Sequence, residues 1–232
     1  TLQRGQTIGW TVGMFLGGLA FGSMTKSLLD AAKDNELLAR VLAAQGNDGV
    51  YTTMTQFLAA AATAYVVTAV MRVWNDEQSG LGEEVLAGAV SRWQWLLSAV
   101  VAALIGSTVL MFFAGLGNGL GAGITLGEPG TIVKLTLAGL AFVPAMAVVA
   151  GIAALAVALR HGWIGWLAVT FVVTSLYLGA LLRLPTWLID LSPVGRTTAP
   201  SHVPVVALIV MVLAAAALTL VAGAIYRRRD AL

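Results

Sequence analysis

Long apolar runs alternate with short polar connections along the whole chain. A bilayer core about 30 Å thick requires roughly 20 apolar residues at a 1.5 Å rise each. Six runs approach or exceed that length: residues 8–24, 57–73, 93–116, 132–159, 163–182 and 203–226. All are rich in Ala, Leu, Val and Gly, and none shows the period-2 alternation of a membrane β-barrel strand. The pattern predicts an all-α, polytopic membrane protein built as a bundle of six transmembrane helices, with residues 1–232 forming a single transmembrane domain.

Composition sharpens this picture. Of the 232 residues, 59% are hydrophobic and 10% charged, whereas soluble domains run about 45–50% apolar and about 25% charged. A soluble core of this size would leave much of that apolar surface facing water. Cysteine is absent, which removes disulfides, thiolate metal sites and cysteine nucleophiles. The net charge of +2 comes from 13 Lys and Arg against 11 Asp and Glu, too small and scattered an excess for a nucleic-acid footprint. The first residue is Thr1, as expected for part of a longer polypeptide, and the first apolar run is too long for a cleaved signal.

Basic residues beside the spans set the expected orientation. Arg227, Arg228 and Arg229 follow the last run directly and place that end in the cytoplasm. Counting back through six spans puts Arg4, Arg72, Arg92 and Arg160 on the same side, and Lys26, Lys33, Arg40, Lys134, Arg183 and Arg196 outside. Both termini are then cytoplasmic. On the outer side, Lys26–Gln45 carries Leu28, Leu29, Leu37, Leu38, Val41 and Leu42 at helical spacing among charges. It predicts short amphipathic surface helices ending at a Gly46–Asn47 cap. The apolar stretch from Leu184 to Pro193, bracketed by Pro185 and Pro193, is too short to cross and reads as an interfacial or re-entrant turn.

Within the first run, Gly9, Gly13 and Gly17 fall at four-residue spacing, with Gly18 and Gly22 as a second pair. Small residues on one stripe allow close helix approach, either inside one bundle or at a moving or dimerising interface. Residues 115–123 contain a superficial dinucleotide-binding pattern through Gly117, Gly119 and Ala122. That motif requires a preceding strand, so these glycines are read as permitting close packing or bending. Pro144 lies midway along the fourth run and predicts a kink.

Among Asp, Glu, Lys, Arg and His, two residues fall inside the predicted spans, both near an end: Arg72 at the close of the second and Lys134 near the outer end of the fourth. Ion-coupled carriers and proton pumps use buried ionisable groups, and intramembrane hydrolases require a nucleophile with a base. His161 and His202 lie in loops on opposite sides, without a carboxylate cluster at ligand spacing. The residues predict no catalytic group, no metal site and no energy-coupling chemistry in the bundle.

The longest cytoplasmic connection, residues 74–92, places Leu81, Val85 and Leu86 on one side of a short helix, with Glu83 and Glu84 beside them. Lipid-bound surface helices favour Lys and Arg; this acidic one suits a protein partner, the alternative being a solvated acidic loop. From Arg72 through the pair Asp76–Glu77, Gly80, Glu83, Leu86, Ala87 and Val90-Ser91-Arg92, the segment resembles the first cytoplasmic loop of ABC-2-type exporter permeases, in particular the tetronasin-type exporters of polyketide antibiotics. It departs at Leu81 and Ala89, where that family carries Arg and Pro. Gly9-Trp10, Pro144-Ala145, Leu184-Pro185, Trp187, Leu191-Ser192-Pro193, Pro204 and the closing Arg227–Asp230 extend the resemblance along the whole chain, which is similar to the second six-span half of such permeases.

The resemblance implies a six-helix permease fold of the ABC-2 (type V) exporter type, in the bacterial cytoplasmic (inner) membrane. It implies a permease subunit exporting amphipathic or hydrophobic, drug-like compounds. ATP and Mg would sit on a separate cytoplasmic ABC ATPase subunit, with no cofactor in this chain. Its partners would be that ATPase, a second permease half (the same polypeptide or a homodimer) and the lipid bilayer. The ATPase-coupling residues would be Glu77, Leu81, Glu83, Glu84, Val85, Leu86 and Arg92, and the helix-packing residues Gly9, Gly13, Gly17, Gly18, Gly22 and Pro144. The competing reading is a non-transport scaffold or assembly factor that binds an ATPase or regulator.

Overall fold

The computed structural model describes residues 2–36, 39–40, 48–79, 91–178, 185, 191–200, 202–203 and 205–228. Among them the regular elements are all helical: α1 (Leu2–Asp34), α2 (Gly49–Gln78), α3 (Arg92–Leu126), α4 (Gly130–Leu140), α5 (Val143–Ala158), α6 (Trp163–Val173, continued by a π-helical turn Thr174–Leu178) and α7 (Val205–Arg227). Five stretches are long and apolar enough to span a bilayer: Gly5–Asp34, Gly49–Gln78, Arg92–Leu126, Gly130–Ala158 and Val205–Arg227. The protein is a polytopic helical membrane protein.

The helices differ from the sequence-predicted runs mainly at their ends. No breaker separates Met24 from Asp34, so α1 continues through Lys26–Asp34, where a separate surface helix was expected. An i,i+3 ion pair between Lys33 and Asp30 (2.8 Å) lies on this last exposed part, and Lys33 sits where the helix dipole favours a cation. Glu36 and Arg40 pair beyond it; Leu37, Leu38, Val41, Leu42 and the Gly46–Asn47 cap lie outside the described residues. The fifth predicted span, 163–182, is described as an apolar helix only over Trp163–Leu178, shorter than the other five. Of the segment from Leu184 to Pro193, only Pro185 and residues 191–193 are described.

Helix boundaries follow local chemistry. Before α3, Gln94 N–H donates to Ser91 Oγ (3.3 Å), and Ser91 N–H donates to Gln94 Oε1 (3.0 Å). This reciprocal capping box satisfies two orphan donors at once. At the other end the helix does not stop at Leu116 but runs through the glycine-rich segment to Leu126. It closes in a Schellman turn, with Gly127 at φ +73° and Glu128 N–H on Gly123 O (3.0 Å). In the fourth span, α4 and α5 are separated at Ala141–Phe142, just before Pro144. Proline has no N–H to return to the previous turn, and Phe142 N–H instead takes Gly139 O (3.1 Å). Hydroxyls inside the helices bond back one turn, as Thr11 does to Thr7 O and Thr68 to Ala64 O, which keeps polar groups satisfied without water.

The chain separates into two compact units. Unit one comprises residues 1–62, 108–143 and 194–205. Here α3 is gripped on two faces. A Cβ at Gly117 or Gly121 would meet the α1 backbone, 3.0 Å from Leu19 N and 2.6 Å from Ser23 N respectively. A Cβ at Gly115 or Gly119 would meet α4, 2.6 Å from Leu135 O and 2.7 Å from Ile132 O. Phe15 stands edge-on to Phe113 (6.4 Å between centroids), and Phe21 packs against Phe57 (5.9 Å).

Unit two comprises residues 63–107, 144–193 and 206–232. Its core is formed by Val66, Val67, Val70, Leu96, Met146, Val149, Val157 and Tyr226, all fully buried. Glycines again mark close contacts: Gly151 faces Ala215 O and Leu218, Gly106 lies under the Tyr65 ring, and Gly223 lies under the indole of Trp93. Along α7, Val206, Ile209, Val210, Leu213 and Leu220 are exposed, an apolar surface suited to lipid.

Candidate functional site

Two places in the structure combine polar chemistry with an apolar bundle. The first is the charged end of unit two. Arg72, Asp76 and Glu77 lie in the last turns of α2, Arg92 opens α3, Arg160 and His161 follow α5, and Arg227 and Arg228 end α7. The phenol of Tyr226, fully buried, donates to Glu77 Oε1 at 2.5 Å. This bond joins the end of α7 to the end of α2 across 149 residues of sequence. A charged acceptor makes it one of the stronger hydrogen-bond types.

Of the residues predicted to couple to an ATPase, Glu77 and Arg92 are thereby placed at the two ends of the 80–90 connection. Glu77 is held by Tyr226, and Arg92 begins α3 inside the Ser91–Gln94 box. Leu81, Glu83, Glu84, Val85 and Leu86 lie outside the described residues. Among the described residues no three His, Asp or Glu side chains gather around a common point.

The second place is a buried polar seam in unit one. Asn118, on α3, is fully buried. Its Nδ2 donates to Thr55 Oγ1 (3.4 Å), while Thr55 Oγ1 donates to Tyr51 O (2.8 Å). Asn118 Oδ1 has no protein partner. One position further along α2, Gln56 Nε2 donates to Thr197 O (3.2 Å), and Thr52 Oγ1 donates to Thr198 O (3.4 Å). Lys134, near the outer end of the fourth predicted span, is paired with Asp48 (2.8 Å) and lies 5.7 Å above the Tyr51 ring. The described contacts of the seam are amide and hydroxyl hydrogen bonds, which can orient a polar group.

The α1 glycines divide sharply. A Cβ at Gly18 would fall on the Ala114 carbonyl and 2.9 Å from Asn118 N; one at Gly22 would fall on the Asn118 carbonyl and 2.8 Å from Ala122 N. At Gly17 the nearest atom would be Leu58 Cδ2 at 3.7 Å, and at Gly9 and Gly13 nothing lies within 4 Å. The close approach therefore belongs to Gly18 and Gly22, paired with Gly117 and Gly121 on α3. Gly9 and Gly13 lie on the exposed side of α1, outside this contact, which leaves the alternative of an interface open for them. Gln56 and Asn118 fall just outside the predicted second and third spans, which begin at residue 57 and end at residue 116. At position 118 the available signal was a single amide among glycines, whereas Gln56 follows Thr52, Thr53 and Thr55 and has no such contrast.

Comparison with known proteins adds a direct finding. Residues 1–227 match the family described as "Multidrug efflux system permease Rv1217c, C-terminal domain". The chain is also 34% identical, over 245 aligned positions covering 99% of its length, to the multidrug efflux system permease protein Rv1217c of Mycobacterium tuberculosis. It spans 44% of that relative's length.

Proposed function

Given that the chain belongs to the family of multidrug efflux permease C-terminal domains, we propose that it is the membrane permease part of an ATP-driven exporter. It moves amphipathic or hydrophobic compounds outward, while a separate cytoplasmic ATPase hydrolyses ATP. The finer placement among ABC-2 permeases of the tetronasin type, as the second of two six-span halves, rests on the Arg72–Arg92 pattern together with Pro144-Ala145. The observation that carries the reading is the match over residues 1–227. It is consistent with the seam of unit one, where the described contacts are made by amides, hydroxyls and a lysine paired with Asp48. In this reading the membrane is the bacterial inner membrane, both termini are cytoplasmic, and the 80–90 connection seats on the ATPase through Glu83, Glu84, Val85 and Leu86.

The decisive experiment is the double charge reversal Glu83→Lys with Glu84→Lys in cells exporting a fluorescent amphipathic dye. Exposed substitutions usually change stability by no more than about 0.5 kcal/mol, whereas losing charge-assisted contacts at a desolvated interface costs about 1.5–3 kcal/mol each. Expression should therefore stay near wild type while export, and dye-stimulated ATP hydrolysis by the co-purified complex, fall together at least about tenfold. Full export at normal expression overturns the proposed ATPase seat. An ATPase that co-purifies but is never stimulated by dye favours the scaffold reading.

Orientation has its own check in a chain without cysteine. A single cysteine at Asp34 or Ser201 should react with an impermeant thiol reagent in intact cells, and one at Ser79 only after lysis. The reverse pattern inverts the topology.

A further inference from the structure

At one edge of unit two, a cavity of about 450 Å³ opens between the end of α2 and the start of α6. Its walls include Met71 and Trp74 of α2, Arg160 and His161 of the α5–α6 connection, and Trp163 and Trp166 of α6. Among the described residues, no acidic side chain lines it. Arg160 forms no ion pair among the described residues.

The cation is also held in place by the backbone. Arg160 occupies the left-handed position that closes α5, at φ +60°, with His161 N–H on Ala156 O (3.0 Å) and its own N–H on Val157 O (3.1 Å). Glycine normally takes this position, and a residue with a side chain is strained there. His161 Nδ1 lies 2.6 Å from Leu159 O, which turns the other ring nitrogen away from the backbone. Next to both, α6 begins at Gly162 without a side-chain cap, so the positive end of its dipole adds to the same field.

The apolar side of the cavity continues out of it. Trp163 is 62% exposed and Trp166 48%, and the outward row runs on through Leu167 and Val173, one helical face at i, i+3, i+4 and i+10. Indoles at helix ends sit at headgroup depth in membranes, and basic recesses between membrane helices take anionic headgroups. A cation without a carboxylate, flanked by indoles and leading onto a bare apolar ridge, matches a ligand with a phosphate at one end and hydrocarbon at the other.

We propose that this cavity binds the headgroup of an anionic phospholipid, its phosphate on Arg160, its glycerol between Trp74, Trp163 and Trp166, and its acyl chains along Trp166, Leu167 and Val173. The same phosphate chemistry could be met by free inorganic phosphate, and the apolar ridge favours the lipid. The assignment does not depend on ATP-driven export and holds for a scaffold as well.

Native mass spectrometry of the permease in detergent, incubated with equal phosphatidylglycerol and phosphatidylcholine, tests it. Wild type should carry a first phosphatidylglycerol in about tenfold excess over phosphatidylcholine. Arg160→Gly and Arg160→Asn both suit the left-handed backbone and should bring that ratio to near parity, since one charge-assisted contact is worth about tenfold. Parity in the wild type overturns the proposal without recourse to any variant, and so does an undiminished excess in a folded Arg160 variant. Displacement of phosphatidylglycerol by millimolar inorganic phosphate would reassign the site to the free anion and overturn the lipid assignment.

Discussion

Alanine at Gly18 and Gly22 together should abolish the accumulation of folded protein, whereas alanine at Gly9 and Gly13 together should leave it unchanged or improved. The four positions lie on one helix and look alike in sequence, so the contrast isolates tertiary packing. At Gly18 and Gly22 the new methyl groups meet backbone atoms of Ala114, Asn118 and Ala122 on α3. Backbone cannot rotate aside as a side chain can, so α1 and α3 must separate. Overpacking costs about 1–3 kcal/mol per site and more where relief requires moving a helix. The separation also loosens the reciprocal contacts of Gly117 and Gly121 with Phe15, Leu19 and Ser23. At Gly9 and Gly13 nothing lies within 4 Å, and replacing helical Gly by Ala gains up to about 1 kcal/mol. Thermal unfolding in detergent, followed by circular dichroism and by the monodisperse fraction on size exclusion, reads both pairs. Equal behaviour of the two would refute the contact between α1 and α3.

The second large effect is expected at Asn118. Asn118→Asp is nearly isosteric, yet it places a carboxyl in a fully buried position whose Oδ1 has no hydrogen-bond partner. An aspartate at the centre of a membrane helix costs about 2.5–3.5 kcal/mol on insertion scales; position 118 lies nearer the end of α3, but its full burial removes the solvent that would lower that cost. The substitution also removes the Nδ2 donor that now serves Thr55 Oγ1; a protonated carboxyl can replace one donor but must remain neutral to do so. Asn118→Asp should therefore destabilise the protein by about 3 kcal/mol at neutral pH, with part of the loss recovered at low pH, where the carboxyl is neutral. Asn118→Ala removes both the unpartnered Oδ1 and the 3.4 Å bond and should cost less than the aspartate. The thermal midpoint of the two variants at pH 5 and pH 8 provides the comparison. An aspartate as stable as the alanine at pH 8 would mean that position 118 is reached by water.

Helices arise from backbone bonds closed within four residues, and an apolar run can satisfy its backbone in a bilayer only in that way. The apolar runs therefore determined, with no tertiary information, that the protein is a helical membrane protein and roughly where its spans lie. Pro144 marked the break between α4 and α5 for the same local reason. The local signals at span ends were present but outweighed by hydropathy: the Ser91–Gln94 box, and the pair of Gly127 with Pro129. Hydropathy falls at Lys26 and at Gly117 although nothing there stops a helix, which is why α1 and α3 run further than their apolar cores.

Tertiary structure alone decided which small residues touch. Gly9 and Gly18 have the same intrinsic freedom, and only the position of α3 distinguishes an exposed glycine from one against a carbonyl. It also decided the polar pairings: Asn118 with Thr55 over 63 residues, Gln56 with Thr197 over 141, and Tyr226 with Glu77 over 149. The same holds for the cavity that brings Trp74 to Arg160 and Trp163. Such contacts carry no periodic signal along the chain. Hydropathy determines that each segment enters the membrane, but lipid solvates apolar surface as well as another helix does. The choice of partner therefore falls to close backbone approach and to scattered hydrogen bonds, which exist only once the helices have met.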